Sequence, residues 1–152
     1  MRIVNYRLGK NEDGVCRLLR ENAINYDVNL GPESISRMMR EIYKLDMLAE
    51  EFVYLLAISG KRIIGVFEIS HGSANMAAFS AKNIFTRLLL LNCSRFVLVH
   101  SHPSGDTSPS KEDIQLTESV WQAGKLLNCE LQDHIIIGEG YYSFYENDAI
   151  PE

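Results

Sequence analysis

The chain has 152 residues, 46% of them hydrophobic and 23% charged, which are ordinary values for a single globular domain. Its net charge of −5, with scattered Lys and Arg residues, excludes the basic stripe that supports strong nonspecific binding to a nucleic-acid backbone. Three cysteines without C-x-x-C spacing, no visible signal peptide and no membrane-length apolar run predict a soluble cytoplasmic protein without a disulfide framework.

Residues 1–49 are predicted to form a short helical N-terminal extension. Apolar residues at 15–19 fall on one side of a candidate short helix, and a clearer helix begins at Pro32, because proline suits a first helical turn. The apolar stripe of this second helix is predicted to face the core, and it comprises Ile35, Met38, Met39, Ile42 and Leu45. Residues 50–152 are expected to form the main domain.

The main domain is predicted to alternate between strands and helices. Two almost continuously apolar runs, 52–59 and 63–70, flank a Gly-containing turn and predict an antiparallel hairpin covered on both faces. The later elements are, in chain order, a short strand over 74–79, a helix over 80–92, a strand over 96–102, a helix over 110–127, and strands over 130–138 and 141–145. This alternation implies parallel strand pairing with helices on the sheet faces, so the predicted fold is an α/β mixed sheet.

Two of the four histidines stand one residue apart at the end of the predicted buried strand 96–102. Because successive strand side chains point to opposite faces, His100 and His102 are expected to project from the same face. Two imidazoles in this arrangement can chelate one metal ion, and a catalytic zinc site commonly takes three protein ligands and one water. A nearby carboxylate would complete such a site.

Spacing alone leaves three carboxylates as candidates for the third ligand: Asp106, Glu112 and Asp113. Asp113 would lie in the first turn of the helix that begins at Ser110, where its side chain could face the histidine pair. The same Ser-x-x-Asp spacing also fits a helix capping box, which needs no metal. Spacing does not separate these two interpretations.

A metal-dependent reaction at this site also needs a proton acceptor, and Glu68 is the candidate. It lies inside the apolar run 63–70, where a buried carboxylate is costly unless a partner compensates it. In the alternative interpretation this strand is an edge strand and Glu68 faces water. Farther along the chain, the pair Asp133-His134 within the run 130–138 is a candidate support for the metal ligands, or else a structural hydrogen-bonded pair.

The segment His100-Ser101-His102-Pro103, followed by Ser110 and Asp113, resembles the JAMM signature of the JAB/MPN metal-dependent hydrolases. The resemblance is closer to the RadC-like branch of that family. In this branch the histidine pair is followed by Pro-Ser-Gly-Asp, as at 103–106, and later by Pro-Ser-x-x-Asp, as at 109–113.

This resemblance implies a zinc ion held by His100, His102 and Asp113. It further implies Glu68 as the general base and Ser110 as a group that stabilises the developing oxyanion. The implied architecture is a three-layer, cytidine-deaminase-like fold with a mixed sheet flanked by helices. Deaminase chemistry itself is not expected, because its H-x-E and P-C-x-x-C motifs are absent from the chain.

The activity implied by the resemblance is that of a zinc-dependent metallopeptidase or isopeptidase, whose substrate is a peptide or an isopeptide-linked protein. Two alternatives are a DNA-repair-associated accessory protein, as the RadC-like group is commonly described, and a noncatalytic interaction module. The acidic charge weighs against the first, and so does the lack of the relatives' helix-hairpin-helix region in residues 1–49. The complete ligand set weighs against the second. The sequence indicates neither the oligomeric state nor the identity of the substrate.

Overall fold

A computed structural model describes residues 1–71 and 80–152, with the backbone alone at positions 70 and 71. Seven strands in the described residues form one sheet, namely β1 (Arg2–Lys10), β2 (Cys16–Asn25), β3 (Phe52–Ser59), β4 (Arg62–His71), β5 (Arg95–Ser101), β6 (Glu130–Gly138) and β7 (Gly140–Ser143). Three α-helices accompany them in the described ranges, namely α1 (Pro32–Glu41), α2 (Ala81–Leu90) and α3 (Lys111–Leu127). A short 3-10 turn covers Leu45–Met47.

The strands lie in the order β2-β1-β4-β3-β5-β6-β7, with both parallel and antiparallel pairs. β3 and β4 form the antiparallel hairpin expected from their apolar runs, and β5 and β6 form a parallel pair as expected. β1 also joins β4 in parallel register, and β7 lies antiparallel to β6 at the far edge. The predicted α/β fold with a mixed sheet is therefore confirmed.

Helices cover both faces of the sheet and produce three layers. On one side, here called the α1 face, α1 packs on a core cluster of buried side chains that includes Ile35, Met38, Leu56, Val99 and Ile137. On the other side, the α3 face, α2 and α3 pack on a second cluster that includes Leu55, Phe67, Ile84, Leu98 and Val120. Alternate residues of β3 enter opposite cores, which explains why this strand is apolar almost throughout.

The prediction of a helix near residues 15–19 is wrong, because this segment belongs to the β1–β2 hairpin. Its turn is stabilised by the Asn11 side-chain oxygen, which accepts hydrogen bonds from the backbone N–H groups of Asp13 and Val15. Gly14 completes the turn at a φ of 78°. Pairing along the whole of β1, together with the junction of β1 and β4, outweighs the weak local helical spacing. This part of the chain therefore extends the sheet.

The helix predicted from Pro32 is confirmed as α1. Its apolar stripe is buried as expected except for Ile42, which is 39% exposed. The elements predicted after residue 80 are present with ends that differ by no more than about two residues, the usual uncertainty of such boundaries. The strand predicted over 74–79 lies outside the described residues. None of the described helices is long and apolar enough to cross a lipid bilayer.

Candidate metal centre

The histidine pair lies at the carboxyl end of β5, in the interior of the sheet. His100 is 2% exposed, and its neighbours across the sheet are Val53 of β3 and Ile136 of β6. His102 follows the end of the strand and is less deeply buried. The Nε2 atoms of the two histidines lie 2.9 Å apart, so the expectation that both rings project from one face is confirmed.

Asp113, in the first turn of α3, brings a carboxylate to the same point. Its Oδ1 lies 3.1 Å from His100 Nε2, and its Oδ2 lies 3.3 Å from His102 Nε2. The carboxylate of Asp106 instead accepts a hydrogen bond from the backbone of Ser108, at 2.9 Å. Glu112 is exposed and lines the neighbouring cleft. Of the three carboxylates that spacing left open, Asp113 is therefore the one that directly faces both rings.

Ser110 and Asp113 also form the capping box that the Ser-x-x-Asp spacing allowed. Ser110 Oγ accepts a hydrogen bond from the Asp113 N–H at 3.1 Å, and the Ser110 N–H donates to Asp113 Oδ2 at 2.8 Å. The cap and the contact with the histidines therefore coexist, and the cap orients the carboxylate. Ser110 lines the cleft beside the histidines, and its catalytic role stays a prediction.

The loop after His102 determines which of its ring nitrogens carries a proton. His102 Nδ1 lies 2.8 Å from the backbone carbonyl oxygen of Asp106, which can only accept, so Nδ1 is the donor. In the neutral ring Nε2 then carries a lone pair, directed at His100 and Asp113. The second histidine of the pair is thus prepared to bind a cation.

The position of that loop depends on a close approach to the end of β6. The carbonyl oxygen of Gly105 accepts a hydrogen bond from the Glu139 N–H at 2.8 Å, and Gly105 adopts a φ of 87°. A methyl group on Gly138 would collide with the same carbonyl oxygen. Only a glycine at this point of β6 lets the loop approach closely enough to hold the Asp106 carbonyl against His102.

A third histidine, His134 of β6, lies directly behind His100. Its Nε2 is 2.8 Å from His100 Nδ1, and its Nδ1 is 2.7 Å from the Thr117 Oγ1. Burial lowers the pKa of His134 well below its usual value, so the ring is neutral. His100 therefore has one ring nitrogen engaged inside the protein and the other directed at Asp113.

The donor set of this site fits a divalent cation. Ligands held tetrahedrally at zinc distances lie about 3.3 Å apart. The two Nε2 atoms lie 2.9 Å apart, and each lies 3.1–3.3 Å from one of the two Asp113 oxygens. The contact with the Asp113 carboxylate raises the pKa of His102. Burial alone would raise the pKa of Asp113, but the close contacts of its carboxylate with both histidines outweigh it and hold that pKa well below its usual range. Both directions reflect the attraction between the Asp113 carboxylate and positive charge on the neighbouring imidazoles.

Glu51, immediately before β3, is a site residue that sequence reasoning missed. Its Oε1 lies 3.8 Å from His100 Nε2, and the carboxylate is 32% exposed. Glu51, His100 and His102 form a group of candidate metal ligands whose ligand atoms all lie within 4.8 Å of one another. In the sequence Glu51 looks like an ordinary charged residue that bounds an apolar strand. Its position follows only from the pairing of Val53 with His100 across the sheet.

Glu68 does not lie at this site. Tyr54 of β3 pairs with both Glu68 of β4 and Val99 of β5, so these side chains share the α1 face. His100 points to the α3 face. Glu68 is exposed and, with Tyr43 and Tyr54, lines a separate cavity of about 170 Å³. The prediction of Glu68 as a buried base is therefore wrong. It faces water although β4 is an interior strand of the sheet.

A cleft of about 650 Å³ opens beside the histidine pair on the α3 face. Its lining combines the apolar side chains of Val53 and Leu116 with the polar side chains of Gln115 and Ser119. The described residues of this lining include three carboxylates and neither Lys nor Arg. The volume is in the usual range of ligand-binding sites.

A mixed sheet with two histidines and an aspartate gathered at the end of a buried strand defines an α/β domain with a candidate metal centre. The model of the RadC-like JAB domain family matches residues 30–149 of the chain. The chain therefore belongs to the RadC-like JAB domain family, as its motifs indicated.

The chain is also similar to proteins named UPF0758 protein. The one from Alkaliphilus metalliredigens is 36% identical over 136 residues, which are 88% of this chain and 58% of the relative. The one from Methanosarcina acetivorans is 41% identical over 93 residues, which are 61% of this chain and 41% of the relative. The chain thus spans about half the length of the curated relatives it matches.

Proposed function

We propose that this protein is a metal-dependent hydrolase that cleaves amide bonds. The observation that carries the proposal is the convergence of His100, His102 and Asp113 within 2.9–3.3 Å. Beside them the Glu51 carboxylate lies 3.8 Å from His100 Nε2. The arrangement supplies three ligands for one ion and a neighbouring carboxylate, on the wall of a cleft that a substrate can enter.

Zinc is the proposed ion, because two imidazoles and one carboxylate form a donor set typical of zinc. When bound, it would polarise a carbonyl group and lower the pKa of a water molecule. Asp113 is the proposed carboxylate ligand, since both of its oxygens face the histidines and the capping box with Ser110 holds it in place.

Glu51 is the proposed general base. Its 3.8 Å separation from His100 Nε2 exceeds the distance of about 3.3 Å expected between two ligands of one tetrahedral ion. Its carboxylate also opens to the cleft. Glu51 would take a proton from the attacking water while the water oxygen bonds to the carbonyl carbon. It would then return that proton to the amine nitrogen as the C–N bond breaks.

Ser110 is proposed to stabilise the oxygen of the attacked carbonyl as negative charge develops there. Its Oγ accepts a hydrogen bond from the Asp113 N–H, and neither bond of the capping box uses its hydroxyl hydrogen. Because Ser110 lines the cleft, that hydrogen can be donated to a substrate.

The proposed substrate is a peptide or an isopeptide-linked protein. The described lining of the cleft has no Lys or Arg to bind a phosphate group, which supports an amide over a phosphate ester. The DNA-associated and noncatalytic alternatives gain no specific support from the described residues.

Metal analysis combined with amide-cleavage assays tests the proposal. We expect about one zinc per chain, and cleavage within a peptide and isopeptide panel that a chelator abolishes and added zinc restores. A folded protein that takes up no zinc would contradict the metal centre. A zinc-loaded protein that cleaves nothing in the panel, yet binds DNA in a salt-sensitive manner, would favour the accessory role instead.

A further inference from the structure

A chain of three short hydrogen bonds runs through the core behind the candidate metal centre. Thr117 Oγ1 lies 2.7 Å from the backbone oxygen of Asp113 and 2.7 Å from His134 Nδ1. His134 Nε2 lies 2.8 Å from His100 Nδ1. Thr117 and His134 are 1% and 0% exposed, so each bond is made inside the protein. The chain links α3, β6 and β5 and so connects the elements that carry Asp113 and His100.

The direction of these bonds is determined at the Asp113 end. A backbone carbonyl oxygen carries no proton, so its contact with Thr117 uses the single hydroxyl hydrogen of that side chain. Thr117 Oγ1 can then only accept from His134, which places the His134 proton on Nδ1. The neutral ring of His134 consequently has a lone pair on Nε2.

The tautomer of His100 follows from that of His134. The lone pair on His134 Nε2 accepts the proton of His100 Nδ1. His100 Nε2 is then unprotonated, and this is the atom that faces His102 and Asp113. If the three hydrogen bonds ran in the opposite direction, the proton would lie on His100 Nε2, where the metal ion would bind.

We propose that Thr117 and His134 are positioning residues that hold His100 in its metal-binding tautomer. The proposal rests on the metal centre of the proposed function, and it concerns the binding of the ion rather than the reaction. The tautomer of the second histidine, His102, is selected by a different hydrogen bond, to the carbonyl oxygen of Asp106. The tautomers of the two ligand histidines are thus set independently, that of His100 by core side chains and that of His102 by the loop backbone.

The first test needs no variant. In metal-free protein at alkaline pH, the nitrogen-15 chemical shifts of the histidine rings distinguish protonated from unprotonated nitrogens. We expect the protons of both His134 and His100 on Nδ1. A proton on Nε2 of His134 would overturn the proposal, whatever the protein does to amide substrates.

Substitution of Thr117 tests the origin of the tautomer. Thr117→Val keeps the shape of the side chain and removes the hydroxyl group, so His134 should move its proton to Nε2. Zinc affinity, measured by chelator competition, should fall by about ten- to a hundredfold, as is typical when a partner behind a metal ligand is lost. Thr117→Ser restores the hydroxyl group and should return both the tautomer and most of the affinity.

Thr86 of α2 provides a matched control. Its hydroxyl group donates to the backbone oxygen of Lys82 at 2.7 Å, the same bond within a helix but without a histidine partner in the described residues. Thr86→Val should leave zinc affinity unchanged. An equal loss of affinity in Thr86→Val and Thr117→Val would overturn the proposal, and so would an unchanged tautomer in a folded Thr117→Val protein.

The outcomes also separate this inference from the proposed function. The expected tautomers and zinc affinities, without cleavage of any amide, would refute the hydrolase and support the positioning role. A wild-type protein that binds no zinc would overturn both. If Thr117→Val does not fold, the wild-type tautomers and the zinc affinity of Thr117→Ser decide the question.

Discussion

Two polar clusters lie on opposite faces of the same strands and differ in how their groups are partnered. On the α3 face, the nitrogen and oxygen acceptors of the candidate metal centre point at one another. On the α1 face lies a second cluster, here called the tyrosine cluster, which comprises Asn5, Tyr43, Tyr54 and Glu68. Within it Tyr43 donates its hydroxyl hydrogen to Asn5 Oδ1 at 2.6 Å. Burial raises the pKa of Tyr54 to about 12, so this side chain stays a neutral donor.

This contrast indicates that convergence of acceptors, rather than the presence of a carboxylate, distinguishes the candidate cation site. Glu68 and Glu51 are both carboxylates near β3, but only Glu51 joins histidines in a candidate metal group within the described chain. In the tyrosine cluster, the Tyr43 hydroxyl group faces the Asn5 acceptor, a pair that needs no added charge. Substitutions on the two faces test this contrast.

Asp113→Ala should have the largest effect. It removes a carboxylate that faces both histidines, so zinc content should fall from about one per chain to near zero. Asp106→Ala is the control, because it deletes a carboxylate from the same segment but keeps the backbone oxygen that holds His102. Metal content is measured by mass spectrometry after gel filtration. Equal zinc content in the two variants would refute Asp113 as a ligand.

Separate replacement of Glu51 and Glu68 by glutamine compares the α3 face with the α1 face directly. Glu51→Gln should reduce kcat by about 10²–10⁴-fold with zinc retained, because the amide cannot accept the proton. Glu68→Gln, on the α1 face, should leave both kcat and zinc content unchanged. The measurement is steady-state cleavage of a substrate from the panel. A loss of activity in Glu68→Gln alone would restore the assignment made from the sequence and reverse the comparison.

Replacement of each N-cap serine by alanine distinguishes the helix-capping role of Ser110 from its proposed role in stabilising the oxyanion. Ser110 and Ser80 each accept a hydrogen bond from a backbone N–H three residues later, at 3.1 Å and 3.3 Å. Each Ser→Ala change should therefore cost about 1 kcal/mol of unfolding free energy. Only Ser110→Ala should also lower kcat, by about a hundredfold, if its hydroxyl group stabilises the oxyanion. Similar kcat values for the two variants would leave Ser110 with the cap alone.

Gly138→Ala tests whether the close contact between β6 and the loop after His102 supports the candidate metal centre. The added methyl group would collide with the Gly105 carbonyl oxygen and displace the loop that orients His102. We expect zinc affinity to fall by about tenfold and the unfolding free energy by about 1–3 kcal/mol. Gly60→Ala is the control, since Gly60 has a φ of 59° but nothing within 4 Å of an added Cβ. It should lose about 1 kcal/mol of stability and no zinc affinity.

The local part of the site could be predicted from the sequence, and the nonlocal part could not. His100, His102, Ser110 and Asp113 belong to one strand–loop–helix unit, so spacing makes them candidate neighbours. The resemblance to the JAMM signature then selected Asp113 among three carboxylates and added Ser110. Glu51 joins them only through the pairing of β3 with β5. The β1–β2 hairpin is local in sequence, but β1 joins the main sheet only through its parallel pairing with β4, which lies far along the chain.

The error on Glu68 has a more specific physical cause. Side chains alternate along a strand, so a change of one residue in register exchanges the two faces. β4 has such an irregularity opposite Val53 and Tyr54, close to Glu68. The sequence shows an apolar run with one carboxylate, but it does not show which face that carboxylate occupies.

Tyr43→Phe should have the smallest effect and completes the comparison. It removes the hydroxyl group that donates to Asn5 Oδ1, and burial raises the pKa of Tyr43, so the lost group is a neutral donor. The unfolding free energy in urea should fall by about 1 kcal/mol, because a partly buried acceptor loses its partner. Tyr141→Phe removes an exposed bond to Glu146 and should change stability by less than about 0.5 kcal/mol. Zinc content should be unchanged in both variants. A loss of zinc in Tyr43→Phe would show that the two faces are coupled, and the tyrosine cluster would then be part of the metal centre rather than its structural counterpart.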